Sequence, residues 1–231
     1  MTCLAIDTAG PFCSAALVAR SDPSRVLAAE SEQIGRGHAE RLMPMIDSVL
    51  ARAGISYDDL SLIAVTTGPG SFTGVRIGIS AARGLALALG LEARGIGVLD
   101  VLAEQAISEL GAEGTVVAAL EAGRGDLFVQ IMHDGAAGTV VLPAARLSAA
   151  EAVAEIGGLA GPVSLIGSGA PALTASPGAG AAWTIIGETD HADIATLAAM
   201  AAAGAGFSPP RPLYLRAPDA KPQSGKAVAH A

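Results

Sequence analysis

The segment Thr67-Gly68-Pro69-Gly70-Ser71-Phe72-Thr73-Gly74-Val75-Arg76-Ile77-Gly78 constrains the fold more than any other part of the chain. A β-branched apolar run, Leu62 to Thr66, precedes it, and an unbroken helical pattern leads from it to about Leu89. A strand entering a Gly-rich turn that opens a helix aims backbone N–H groups, and the positive end of a dipole, at whatever lies in front. Within the helix, Gly74, Gly78, Ala82 and Ala86 recur at a spacing of four and leave one stripe nearly bare. An interior Gly costs about 0.5–1 kcal/mol relative to Ala, so a close neighbour is expected along that stripe. Spacing by itself favours this chain's own first helix or sheet over a helix from another subunit.

The turn is a poor phosphate cradle by sequence. Val75 stands where a P-loop needs Lys, and Gly68, Gly70 and Gly74 are spaced one residue too long for a dinucleotide fingerprint. Ser71 and Thr73 serve as helix N-terminal caps without any ligand.

Around this unit the chain repeats itself. Strand patterns at Thr2–Asp7, Ser14–Ala19 and Val26–Ile34 open it, and a helix pattern follows with Ala39, Leu42, Met43, Ile46, Val49, Leu50 and Ala53 on one face. Pro44 either kinks that helix or begins it. Ser56 to Asp59 resembles a capping box. Strands at Leu62–Thr67 and Ala93–Val98 alternate with helices from Ser71 and from Asp100 to Leu110. At Thr115 the plan restarts: strands Val116–Glu121, Asp126–His133 and Thr139–Leu142, a helix capped by Ser148 with Glu151, and a strand at Val163–Gly167. A loop at Ala170–Ala182, a strand at Trp183–Ile186 and a helix at His191–Ala203 complete it. Two α/β lobes with a cleft between them are predicted: residues 1–110, a smaller lobe at 111–208, and a Pro-rich basic tail at 209–231 expected to be flexible.

Composition narrows the function. Half of the 231 residues are apolar but only 3% aromatic, so Ala, Gly, Leu, Val and Ile must fill the interior. No apolar run is read as reaching the roughly 18 residues of a membrane span. The N-terminus reads as a strand, not a signal peptide, and Cys3 and Cys13 have neither disulfide nor metal spacing. A cytoplasmic protein without a membrane partner is expected. The net charge of −8 argues against a surface built to neutralise nucleic-acid phosphates. After Ser208, Arg211, Arg216, Lys221 and Lys226 stand against Asp219 alone, so the tail is basic while the body is acidic.

Paired hairpins with an acidic residue at the first strand's end resemble the actin/hexokinase/Hsp70 ATPase (ASKHA) superfamily. More narrowly, Leu4-Ala5-Ile6-Asp7-Thr8, Gly37-His38-Ala39-Glu40-Arg41-Leu42-Met43-Pro44-Met45-Ile46, Gly68 to Gly78 and Leu213 to Pro218 are similar to the TsaB family. These are the non-catalytic, glycoprotease-like partners of the TsaD transferase in tRNA threonylcarbamoyladenosine biosynthesis. The resemblance implies a scaffold that binds a TsaD homologue and joins the TsaE ATPase. It implies contact with tRNA only through the complex, and self-association through the same two-helix face (a homodimer) is the expectation when no partner is present.

TsaD-type proteins hold a metal with two histidines at i and i+4. Here Leu42 follows His38 at that offset, so no metal site and no catalytic residues are expected. The superfamily's nucleotide site maps onto Asp7, Thr8, Glu121, Gly167 and Gly169. Ala9 replaces a preferred Gly and Pro11 removes an amide, so this cleft reads as vestigial, binding ATP or ADP weakly if at all. The partner face is expected on the first two long helices, at His38, Arg41, Leu42, Met45, Gly74, Arg76, Gly78 and Ala82. A small ATP-binding enzyme of the sugar-kinase type, using Asp7 and Glu121, is the alternative. A direct tRNA binder is disfavoured by the acidic body.

Overall fold

The computed structural model describes residues 1–108, 110–133 and 139–215. Two five-stranded sheets organise the chain. The first contains β1 (Thr2–Asp7), β2 (Phe12–Ala19), β3 (Asp22–Gln33), β4 (Leu60–Thr66) and β5 (Ala93–Ile96), in the order β3-β2-β1-β4-β5. The second contains β6 (Thr115–Gly123), β7 (Asp126–His133), β8 (Thr139–Ser148), β9 (Val163–Ile166) and β10 (Trp183–Gly187), in the order β8-β7-β6-β9-β10. The order is therefore the same, strand for strand. In each sheet the first three strands are antiparallel and the last two join in parallel to the first. This is the duplicated plan of two α/β lobes expected from the restart at Thr115.

Among the described residues six α-helices cover the sheets: α1 (His38–Ala53), α2 (Phe72–Leu89), α3 (Val98–Ser108), α4 (Ala149–Gly157), α5 (Ala170–Thr174) and α6 (Ile194–Ala202). Pro44 neither begins nor ends α1, which runs through it. The Ser56/Asp59 and Ser148/Glu151 capping boxes both form. Short α5 lies in what reads as a Gly/Ala/Pro loop; its Pro171 occupies the first turn, where a missing N–H costs nothing.

The 110/111 boundary separates the sheets but not the helices. α1 and α2 pack on one face of the first sheet, and the other face is covered by α6, from the far end of the chain. α3, from the first half, packs on β6, β7 and β9 of the second sheet, whose opposite face carries α4 and α5. Covered on both faces, β1 is buried at every position. Along β6, alternate residues divide between two cores: Val116, Ala118 and Leu120 join the large one, while Val117 and Ala119 join the smaller one under α4 and α5.

Two expectations are corrected here. α2 is long and apolar enough to cross a membrane by length and composition alone. Its bare stripe is buried against β1 and β4, and its outer side carries exposed Arg76 and Arg83, so it is a sheet-packing helix of the fold. Residues 209–215, expected to be flexible, are instead held: Leu213 N–H donates to Thr67 O at 2.8 Å, after Phe207 pairs with Gly95. Arg216, Lys221 and Lys226 of the basic tail lie outside the described residues.

Candidate functional site

The bare stripe of α2 is explained by the end of β1. A Cβ on Gly74 would sit against the Thr8 carbonyl oxygen, far inside contact distance. One on Gly78 would lie 2.6 Å from Thr8 Oγ1 and 3.2 Å from Val65 Cγ2. Ala82, one turn further along, is fully buried. The Thr8 hydroxyl donates to Gly74 O at 2.7 Å and locks helix to strand. Gly74, Gly78 and Ala82 are therefore removed from the expected partner face; the close neighbour is this chain's own sheet.

Two residues of α1, Met45 and His38, leave that face for similar reasons. Met45 is a core side chain at 0% exposure, whereas Leu42, though also buried, lines the groove between α1 and α2. His38 is buried, with Nε2 3.2 Å from both Gly10 O and Phe12 O. Both partners are carbonyls, so Nε2 carries the proton and His38 ties α1 to the β1–β2 turn. Arg41 is half-buried and engaged within the chain, pairing with Glu30 at 2.6 Å and with Glu32.

What α1 and α2 do present is a groove of about 480 Å³ between their outer sides, lined by Ala39, Met43, Phe72, Arg76, Ile77 and Ala81 among others. Met43 and Phe72 are exposed apolar side chains, and further along α2 so is Leu87. The Arg76 guanidinium lies 3.7 Å from the Phe72 ring centroid and its Nε donates to Tyr214 Oη at 2.8 Å, while Tyr214 and Phe72 meet at 5.1 Å. Arg76 is thus the one exposed survivor among the eight expected positions. Sequence reasoning missed Phe72, Met43 and Tyr214. Phe72 and Arg76 are i and i+4 on one helix face, a signal that was available; Tyr214 is 138 residues from Arg76 and gave none.

The second feature is the inter-lobe cleft, about 890 Å³, where the β1 and β6 ends face each other. Asp7 lines it with zero exposure. Its Oδ1 accepts from Ala9 N at 2.9 Å and Thr66 Oγ1 at 2.5 Å, whereas its buried Oδ2 has no hydrogen-bond partner. Burial pushes the Asp7 carboxyl above the usual carboxylate range, against the opposing pull of those two hydrogen bonds and of His191 and His38. Glu121 lies on the cleft, exposed, and its N–H donates to Ser168 Oγ at 3.2 Å. His191 and Asp190, which the sequence did not single out, line it too. The His191 ring stacks on Phe12 at 3.9 Å, and its Nδ1 is 3.0 Å from Asp190 Oδ1.

The remaining expected cleft residues are spent on the fold. Thr8 serves the α2 contact. A Cβ on Gly167 would collide with Ala119 O, and Gly169 N–H donates to that same oxygen at 2.9 Å. Neither they nor Thr8 line the cleft. Among the described residues no three His, Cys, Asp or Glu side chains gather closely enough to hold a metal ion.

The family model of TsaD, tRNA N6-adenosine threonylcarbamoyltransferase, matches residues 30–205. Two curated relatives are tRNA threonylcarbamoyladenosine biosynthesis proteins TsaB. That of Haemophilus influenzae is 38% identical over 135 residues, covering 58% of this chain and 55% of that protein. That of Escherichia coli is 41% identical over 128 residues, 55% and 53% respectively. The chain thus spans about half the length of these curated relatives. An uncharacterised Mycobacterium tuberculosis protein is 34% identical over 226 residues, 96% of this chain and 94% of its own. A solved Pseudomonas aeruginosa structure, described as an uncharacterised protein with similarity to peptidase YeaZ, superposes with a TM-score of 0.76 at 30% identity, covering 93% of this chain and 99% of that one.

Proposed function

This chain belongs to the TsaD family, on its TsaB branch, and from that premise we propose that it is a non-catalytic scaffold in tRNA threonylcarbamoyladenosine biosynthesis. It binds a TsaD homologue, which transfers the threonylcarbamoyl group to the adenosine next to the anticodon, and the assembly includes TsaE. Contact with tRNA runs through the complex, in the cytoplasm. The observation that carries the reading is the α1/α2 groove. Exposed Met43, Phe72 and Tyr214, with half-buried Ile77, flank Arg76, the mixture of aromatic, Met and Arg side chains that dominates specific interfaces.

The charges suit a homologous pair of helices. Glu40 and Asp47 are exposed on α1, and Arg76 and Arg83 on α2. A two-fold arrangement that sets α1 against the other protein's α2 pairs acid with base, and the same logic permits a homodimer when no partner is present. The sugar-kinase-like alternative fares less well, because Thr8, Gly167 and Gly169 are engaged inside the fold.

Co-purification with a TsaD homologue tests the reading. Met43→Glu should weaken association at least tenfold, about 1.4 kcal/mol, with an unchanged melting temperature. Wild-type retention by this variant, together with loss on a surface change elsewhere, would move the interface off α1 and α2.

A further inference from the structure

The C-terminal strap, residues 207–215, is fastened twice before the chain reaches Tyr214. Phe207 exchanges both backbone hydrogen bonds with Gly95, at 2.9 and 3.1 Å, and Leu213 N–H donates to Thr67 O at 2.8 Å. Between these points Pro210 is buried against Gly95, where a Cβ would lie 2.9 Å from the proline Cβ. The strap is therefore placed without help from the Tyr214 side chain. That side chain is 46% exposed, as is Phe72, and its hydrogen bond to Arg76 is open to competition from water, so the contact adds little as an anchor.

What the Tyr214 side chain does hold is Arg76. Its Oη accepts from Arg76 Nε, its ring meets Phe72, and the guanidinium lies over both rings, 3.7 Å from the Phe72 centroid and 5.7 Å from that of Tyr214. Among the described residues no carboxylate pairs with Arg76, so its charge is uncompensated. With Nε engaged by Tyr214, the remaining edge of the guanidinium is the Nη1/Nη2 fork, which matches a carboxylate bidentately. An unrestrained surface arginine gives up much rotamer freedom on docking, and one already held between two rings gives up less. Resting on the partner-face reading above, we propose that Tyr214 is the positioning residue of that face. Through its hydroxyl and ring it keeps Arg76 in the arrangement that receives a carboxylate of the partner protein.

Affinity for a TsaD homologue, measured by calorimetry on the full chain, tests the assignment with four variants. Tyr214→Phe keeps a ring against Phe72 but removes the acceptor of Arg76 Nε, and should weaken binding about three- to tenfold at an unchanged melting temperature. Arg76→Ala should weaken it at least as much. The double variant should bind no worse than Arg76→Ala alone, because Tyr214 acts only through the arginine. Met43→Glu, outside the Tyr214 contact, reports on the face as a whole. Wild-type affinity in Tyr214→Phe, with weak binding by Arg76→Ala or Met43→Glu, would leave the face standing and overturn the positioning role. Independent, additive losses from Tyr214→Phe and Arg76→Ala would overturn it too. A lowered melting temperature with unaltered affinity would reduce Tyr214 to a fastening of the strap. Wild-type affinity in all four variants would remove the face itself, and the role of Tyr214 with it.

Discussion

Replacing Gly84, Gly78 and Gly74 by Ala, one at a time, puts the same methyl group on one helix in three environments. All three lie inside α2, where Ala is intrinsically better than Gly by about 0.5–1 kcal/mol. At Gly84 a Cβ meets nothing within 4 Å, so the full gain should appear. For a chain of this size that is an increase of about 1–4 °C in melting temperature. At Gly78 the new carbon lies 2.6 Å from Thr8 Oγ1, so the hydroxyl must give up its buried bond to Gly74 O. Losing that bond costs about 1–3 kcal/mol, which outweighs the propensity gain by roughly 1 kcal/mol. At Gly74 the obstacle is the Thr8 backbone carbonyl, which cannot rotate aside. Overpacking of this kind costs about 1–3 kcal/mol, and the Thr8 hydrogen bond is disturbed as well, so a net loss of about 2–3 kcal/mol is expected. Thermal and urea unfolding followed by circular dichroism should rank the variants Gly84→Ala, wild type, Gly78→Ala, Gly74→Ala in falling stability. A Gly74→Ala protein as stable as its parent would refute the claim that the stripe seats α2 on β1.

His38→Ala removes the Nε2 bond to Gly10 and Phe12 carbonyls and should lower stability by about 1–3 kcal/mol, while TsaD co-purification of the folded fraction stays unchanged; lost binding with normal stability would return His38 to the interface. The raised Asp7 carboxyl means the native state keeps its proton to higher pH than the unfolded chain. Its favourable contribution is complete below the unfolded value of about 3.9 and disappears as pH rises through the native one. The melting temperature of Asp7→Asn relative to wild type should therefore climb as pH rises above about 4, and a relative melting temperature that falls with pH would contradict the burial argument. Burial also pushes the Cys3 and Cys13 thiols up, to about 12 and about 11. Neither should react with an aromatic disulfide reagent at pH 8 until urea is added; prompt labelling of native protein would show an opening absent from this fold.

How much of this was legible beforehand depended on range. Local signals were sound: the strand-turn-helix at Thr67, the restart at Thr115 and both capping boxes all form. The spacing of Gly74, Gly78 and Ala82 correctly demanded a close neighbour. Periodicity says that one side of a helix must be small, but not whether a sheet or a stranger lies there, and the partner face was drawn on the wrong side. Met45 was misplaced for the same reason: it marks the inward stripe of α1, while Met43 points outward and Leu42, though buried, still lines the groove. The cleft was half legible. Asp7 and Glu121 line it, but His191 and Asp190 reach it only because α6 returns to the first sheet. Tyr214 was hidden by its Pro-rich surroundings, which resemble a frayed end and in fact run along the Gly68 turn.

The exchange of α3 and α6 between the sheets bears on how the protein can be divided. Ending the polypeptide at residue 110 would strip α6 from β1, β2 and β3 and leave α3 with no sheet to rest on. Neither half should therefore be obtainable in folded form by expression on its own. Two fragments made together, however, hold all the interlocking parts and should reassemble.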